Sequence, residues 1–257
     1  MLLAIDVGNS QTAVGLYDGD SLVETWRLTS SRERTTDELG ILYRGLLAGI
    51  GREGAAVDGL ALCSVVPQLT SAYRTLGRDR FDRETFVIDH RTIPDLPILN
   101  HDPATVGADR LVNAVALRER YGAPGIVVDL GTATTLDVVD RDGAYAGGVI
   151  APGIATSAAA LFQRGARLAR VEILKPERVV GRSTEESIQA GIFFGAVGTV
   201  DSLVGAVRTE MEFPSGIPVV ATGGLAPAIA ASSRVVTAVD ETLTLEGIRL
   251  VWERSRG

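Results

Sequence analysis

Two short stretches of this sequence hold residues suited to phosphate and metal chemistry, one in each half of the chain. In residues 126–138 (IVVDLGTATTLDV), three β-branched residues lead to Asp129, then Gly131, then the hydroxyls of Thr132, Thr134 and Thr135. An apolar run over 136–139 follows and closes a hairpin. At the N-terminus, residues 2–5 lead in the same way to Asp6, Gly8, Asn9, Ser10 and Thr12, and an apolar run returns over 13–17. Glycine carries no Cβ, so main-chain N–H groups there can close on a phosphate, and neighbouring hydroxyls add donors. An aspartate at the end of a strand supplies a fixed negative charge, which suits a hydrated Mg²⁺ that keeps most of its waters. One such copy reads equally as an ordinary hairpin with a glycine turn, because short glycine motifs match by chance. Two copies sharing Asp-x-Gly and a following hydroxyl favour the phosphate reading.

Other candidate residues stand at helix starts and strand ends. Asp109, in Val106-Gly107-Ala108-Asp109-Arg110, precedes an apolar helix predicted over 111–121. A helix N-cap is a frequent role for such an Asp, and a functional carboxylate is the alternative. Gly147-Gly148 and Ala151-Pro152-Gly153 mark either a tight strand-to-helix turn or a wall where a ligand approaches the backbone. Thr222-Gly223-Gly224 follows a buried strand, where a plain turn or a resting place for an adenine both fit. Ser183 with Glu186 forms a capping-box signature opening a long helix to about residue 212. Gly191, Gly195, Ala196 and Gly198 along it permit close helix contact, within the fold or across a dimer.

The elements that must position these groups follow from periodicity and turn residues. Strands are predicted over 2–5, 13–17 and 22–28, a helix over 36–50 capped by Thr35 or Thr36, a strand over 59–65, a helix over 69–79 and a strand over 85–88. The order βββαβαβ is that of one half of an actin-like nucleotide-binding fold. After the proline-punctuated segment 91–105, strands over 126–129, 134–140 and 144–150 repeat the plan. A helix over 154–164, strands over 218–221 and 234–237, and helices over 225–231 and 243–254 complete it. The expected fold is α/β, two tandem actin-like (ribonuclease H-like) domains over 1–110 and 111–257, with the nucleotide site in the cleft between them.

Composition narrows the function classes. The chain has 257 residues, 46% hydrophobic and 22% charged, ordinary values for a globular protein. Its net charge of −7 argues against coating nucleic acid, which requires clustered positive charge. Lys175 is the only lysine, so a Walker-type P-loop is excluded. Cys63, the only cysteine, lies in an apolar run and reads as a small core residue. With no disulfide, no leader signature and no apolar run reaching the about 20 residues of a membrane span, a cytoplasmic protein is expected.

Taken together, Asp6-Val7-Gly8-Asn9-Ser10, Gly107-Ala108-Asp109-Arg110, Asp129-Leu130-Gly131-Thr132-Ala133-Thr134-Thr135, residues 147–153, Thr184-Glu185-Glu186 and Thr222-Gly223-Gly224 occur in an order that resembles the type III pantothenate kinases. These belong to the acetate kinase–hexokinase–Hsp70–actin superfamily, and the resemblance runs end to end. It implies transfer of the γ-phosphoryl of ATP to the primary hydroxyl of pantothenate, the first step of coenzyme A synthesis. By the same resemblance Asp109 is the base. Gly107, Ala108, Asp109, Arg110, Asn100 and the partner's share of Thr184 form the pantothenate pocket of a homodimer. Asp6, Val7, Gly8, Asn9, Ser10, Gln11, Thr12, Gly131, Thr132, Ala133 and Gly223 bind ATP. Asp6 holds Mg²⁺ and Asp129 a monovalent cation, K⁺ or NH₄⁺. Ser10 stands where the family usually has Thr, Asn100 where many members have Tyr, and Asp102-Pro103 where Asn-Pro is common. A non-enzymatic regulator of the Bvg accessory factor type shares the fold and is the alternative. An ATPase machine of the Hsp70 or actin kind would need insertions for which this length leaves no room.

Overall fold

Apolar residues on both parities of residues 2–7 produce a strand buried on both faces, β1 (Leu2–Val7), with Asp6 its one polar residue. The computed structural model describes residues 1–164 and 172–256. β1 pairs antiparallel with β2 (Gln11–Asp18), which β3 (Ser21–Thr29) extends. On its other side β1 pairs parallel with β4 (Gly59–Ser64), followed by β5 (Thr85–Val87), giving the order β3-β2-β1-β4-β5. Helices α1 (Thr36–Gly49) and α2 (Pro67–Phe81) cross over between strands and cover the face carrying Leu3, Ile5, Val7, Leu60 and Leu62. α1 starts at a complete capping box, Thr35 with Glu38. α2 starts at Pro67, ahead of the expected residue 69, because proline at the first helical position loses no hydrogen bond.

Side chains alternate along a strand, so Ala4 and Asp6, Gly59 and Cys63 face away from α1 and α2. The terminal helix (Leu243–Arg254) lies on this second face, with Trp252 against Gly59 and Leu245 against Gly15. It also meets α3 (Ala108–Tyr121), where Gly247 packs on the Val112 carbonyl and Thr244 shares a hydrogen bond of 2.8 Å with Asn113. Arg249, buried in this helix, is held by Glu246 and Glu253 at 2.6 Å each and lies over the Tyr17 ring. A buried cation is tolerable here because both carboxylates and a ring face compensate it.

The chain divides into two compact units, 1–116 with 243–257, and 117–242. The terminal helix therefore belongs with the N-terminal sheet, whereas the sequence grouped residues 111–257. The reason is packing: its apolar stripe fits the glycine-lined face of β1, β2 and β4.

In the second unit β6 (Gly125–Leu130) is the central strand, with β7 (Ala133–Val139) and β8 (Tyr145–Pro152) on one side. Helices α4 (Ile154–Arg164) and α5 (Thr184–Glu210) lead to β9 (Val219–Thr222), then α6 (Ala226–Ala230) and β10 (Ala238–Val239). The order β10-β9-β6-β7-β8 repeats that of the first sheet, and the terminal helix is α7. The expected two-sheet α/β architecture is thus observed. The last strand differs from the predicted 234–237: the Thr237 hydroxyl accepts from the Val219 N–H at 2.9 Å, so regular pairing begins only at Ala238.

α5 buries Ala190, Phe193, Val197, Val200, Val204 and Val207 on one face, against Ile126, Val128 and Leu130. Its cap is half of the predicted box: the Ser183 hydroxyl accepts from the Glu186 N–H at 3.1 Å, while the Glu186 carboxylate accepts from the Arg182 N–H at 2.6 Å. By length and composition α5 meets the measure of a membrane span, with an 18-residue window of mean hydropathy 1.6 of which 33% is buried inside the protein. Asp201 interrupts the apolar residues of α5, and its glycines and alanines raise the mean hydropathy without adding bulk.

The α3–α7 contact gives a direct test. A Cβ at Gly247 would run into the Val112 backbone, whereas Gly45, in the exposed part of α1, has nothing within 4 Å. Gly247→Ala is expected to lower stability in urea unfolding by about 1–3 kcal/mol. Gly45→Ala is expected to raise it by about 0.5–1 kcal/mol. Equal effects would remove the close contact.

Candidate active site

In the first unit, Val7 and Thr12 face each other across the sheet and residues 8–11 form the connecting loop. The Gly8 N–H donates to the Gln11 carbonyl at 3.0 Å, which leaves the Asn9, Ser10 and Gln11 side chains exposed. The segment after β3 clasps this loop. The Ser30 N–H donates to the Ser10 carbonyl at 3.0 Å, and Arg32 donates to Asn9 Oδ1 at 3.4 Å. Val7 and Thr12, named with the loop as ATP-binding, have buried side chains, so only their backbone is available to a ligand.

Asp6, one residue before the strand end, stands in register with Cys63 on β4. The two side chains share the face turned from α1 and α2, and the Cys63 thiol donates to the Asp6 carboxylate. Burial, reinforced by the charges of Asp6 and Asp109, pushes the thiol well above its ordinary range, so it remains a neutral donor. The charges of Asp6 and Asp109, distant in sequence, are thus both felt at Cys63.

Asp109 lies within the first turn of α3, which begins at Ala108, and is not the N-cap that its position suggested. Its Oδ1 accepts from the Arg110 N–H at 2.9 Å. Burial raises its pKa above the ordinary 3.8, an effect partly opposed by the Arg110 N–H and guanidinium charge. A Cβ at Gly107 would crowd this carboxylate, which would have to shift to admit it. Asn100 lies ahead of α3 with a buried Oδ1 that finds no partner among the described residues. Such an acceptor suits a ligand that brings its own N–H or O–H.

In the second unit the corresponding loop is shorter. Leu130 faces Thr134, and the Gly131 N–H donates to the Ala133 carbonyl at 3.0 Å. Gly131 and Thr132 are exposed and Ala133 is half-buried. Asp129 pairs in register with Thr222 of β9. Gly223 follows with φ +90, and a Cβ there would come within 2.8 Å of both Asp129 Oδ1 and the Leu130 carbonyl carbon. The Thr-Gly-Gly motif is therefore packed against Asp129 and Leu130. Thr184 opens α5 and is exposed, lining a cavity of about 620 Å³ together with Thr134, Ile154, Gly191, Gly195 and Thr199.

The contacts made by Cys63, Thr156 and Gly153 could not be read from the sequence. Cys63 reads as core and is core, but only strand register reveals that it touches Asp6. Thr156 donates to the Thr132 carbonyl at 2.7 Å, and Gly153 lies so close to the Gly131 and Thr132 carbonyls that no side chain fits. The Ala-Pro-Gly signal marked the turn at Gly153 without showing what it touches. No group of three or more His, Cys, Asp or Glu side chains that could cage a metal occurs among the described residues. Single carboxylates at strand ends fit instead a Mg²⁺ shared with phosphate and water.

Comparison with known proteins accords with this geometry. Residues 2–206 match the family model described as type III pantothenate kinase. The chain is 49% identical over 256 residues to the type III pantothenate kinase of Anaeromyxobacter sp. (strain K), covering 100% of both. It is 46% identical to that of Geobacter sulfurreducens over 258 residues, again covering 100% of both. Among solved structures, the activator of 2-hydroxyisocaproyl-CoA dehydratase from Clostridium difficile, with bound ADPNP, superposes with TM-score 0.58 at 14% identity over 99% of this chain and 95% of that one. Component A of (R)-2-hydroxyglutaryl-CoA dehydratase from Acidaminococcus fermentans gives 0.59 at 12% identity, over 100% and 99%. These likenesses concern the fold alone. Full-length identity to kinases, with both loops and Asp109 intact, disfavours the regulatory alternative: the chain belongs to the type III pantothenate kinase family.

Proposed function

We infer that this protein phosphorylates pantothenate with ATP, yielding 4'-phosphopantothenate and ADP, the first step of coenzyme A synthesis. The observation that carries the chemistry is the half-buried Asp109 carboxylate in the first turn of α3, its charge felt at the thiol that also touches Asp6. In the reaction the primary hydroxyl attacks the γ-phosphorus, its proton passes to Asp109, and the bond to the β-phosphate oxygen breaks, releasing ADP. Arg110 presents a planar cation to the pantothenate carboxylate, with Gly107, Ala108 and Asn100 beside it. The backbone of residues 7–12 and the side chains of Asn9, Ser10 and Gln11 receive phosphate oxygens, as do Gly131, Thr132 and Ala133, while Gly223 contacts the nucleotide. Asp6 would hold Mg²⁺ and Asp129 a monovalent cation. Bound metal would neutralise charge on the transferring phosphoryl group. The protein acts in the cytoplasm as a homodimer, without nucleic acid or membrane, and Thr184 contributes to the partner's pantothenate site.

A raised carboxylate pKa strengthens the base and has a price in stability. The folded state binds this proton more tightly than the unfolded chain, so the contribution of Asp109 to stability is favourable at low pH and lost as pH rises through its folded pKa. Asp109→Asn is accordingly expected to fold with equal or greater stability at neutral pH, to bind ATP, and to lose about 10²-fold or more in kcat. The acid limb of the wild-type kcat profile should lie above the ordinary carboxylate value, since Asp109 must be ionised to accept a proton. A coupled ADP-release assay with and without pantothenate measures each. Near-normal turnover in Asp109→Asn would reduce the residue to a structural one, and ADP release indifferent to pantothenate would overturn the substrate.

Activity is expected to require Mg²⁺ and to rise when Na⁺ is replaced by K⁺ or NH₄⁺. Equal rates in NaCl and KCl would remove the monovalent cation from Asp129.

The shared site is tested by complementation. Asp109→Asn chains mixed with Thr184→Phe chains should regain part of the activity on subunit exchange, because one pocket of the heterodimer then carries neither lesion. Demonstrated exchange without recovery would assign each pocket to a single chain.

A further inference from the structure

Behind loop 8–11 runs a chain of four hydroxyls that the catalytic scheme does not use. Tyr43 of α1 donates to the Tyr73 hydroxyl of α2 at 3.2 Å. The Thr12 hydroxyl stands beside that of Tyr73 and acts to lower its pKa against the effect of burial, and Thr12 shares a hydrogen bond of 2.8 Å with Ser30. Ser30 in turn holds the Ser10 carbonyl through its own N–H, on the segment whose Arg32 reaches Asn9. Tyr43, Tyr73 and Thr12 are each 1% exposed, and the two rings meet edge to face with centroids 5.9 Å apart. Thr12 lies opposite Val7 on one side and Leu28 on the other, at the root of the loop.

A hydrophobic core needs no hydroxyls here, and each one buried must find a partner. These four find one another, and their chain ends on the backbone of the residue whose side chain faces solvent in the phosphate loop. We propose that Thr12, Tyr73 and Tyr43 are positioning residues for nucleotide binding: the hydroxyl chain fixes Ser30, and Ser30 fixes the Ser10 backbone in the orientation that receives phosphate oxygens. The Thr12 side chain, buried beneath the loop, acts through Ser30 and does not itself touch the nucleotide. The proposal rests on the nucleotide reading of loop 8–11.

The experiment measures affinity for a non-hydrolysable ATP analogue with Mg²⁺ by calorimetry, alongside the KM values for ATP and pantothenate. Thr12→Val keeps the side-chain shape and removes the hydroxyl, Thr12→Ser keeps the hydroxyl, and Tyr73→Phe removes one oxygen from an unchanged ring. Thr12→Val and Tyr73→Phe are expected to weaken analogue binding and raise the KM for ATP by about 3- to 10-fold, the scale of one hydrogen bond. The KM for pantothenate should stay unchanged and Thr12→Ser should behave as wild type. The double variant should lose less than the product of the two single losses, since both cut one chain. A Thr12→Val protein that melts earlier yet binds the analogue normally would make the chain mere core support and overturn the proposal. So would a Thr12→Ser protein as impaired as Thr12→Val. If Thr12→Val does not fold, Tyr73→Phe decides by the same affinity. A wild type that binds the analogue without pantothenate-dependent ADP release overturns the kinase reading alone, and the affinities still judge the hydroxyl chain. A wild type that binds no analogue overturns both.

Discussion

A strand buried on both faces can carry a charge only at its end, and this constraint organises the molecule. β1 and β6 are the central strands of their sheets, each apolar until its next-to-last residue, and in each that residue is Asp. Water or a ligand can reach the carboxylate only where the strand runs out into its loop, so the sheet itself sets where the negative charge is presented. Period-two alternation then decides which face it occupies. Asp6 shares its face with Cys63 and the α7 contact, and Asp129 lies opposite the α5 core.

Cys63 is one of the groups that the sheet register sets beside Asp6. Cys63, held neutral by burial, supplies it with a weak donor. Asp109 is treated differently. Burial raises its proton affinity while the Arg110 N–H holds one oxygen, an arrangement suited to accepting a proton.

The two sheets share one strand order, yet their loops are not copies. The first closes from Gly8 to Gln11 and is clasped by Ser30 and Arg32, whereas the second closes from Gly131 to Ala133 and is buttressed by Thr156 and Gly153. Each loop is held by the element that happens to follow its hairpin: the end of β3 in one, the start of α4 in the other. Loops in corresponding places thus tolerate different supports.

Much of this was legible in the chain itself. Alternation and turn residues located nearly every strand, Thr35 with Glu38 marked the start of α1, and the paired Asp-x-Gly motifs singled out both loops, because these signals are local and each residue carries its own part of them. What the tertiary structure decided depends on partners distant in sequence. That α7 completes the first sheet follows from the match between its stripe and the glycines of β2 and β4. That Thr12 is a buried support follows from Tyr73 and Ser30 meeting it. Cys63 looked like any core residue until register set it beside Asp6. Asp109 stood where a cap would stand, and a helix beginning one residue earlier than it turned its carboxylate into the first turn. A sequence specifies which groups exist and how each short stretch bends. Which groups share a face, and what surrounds a charge, is decided only when the sheets and helices close on one another.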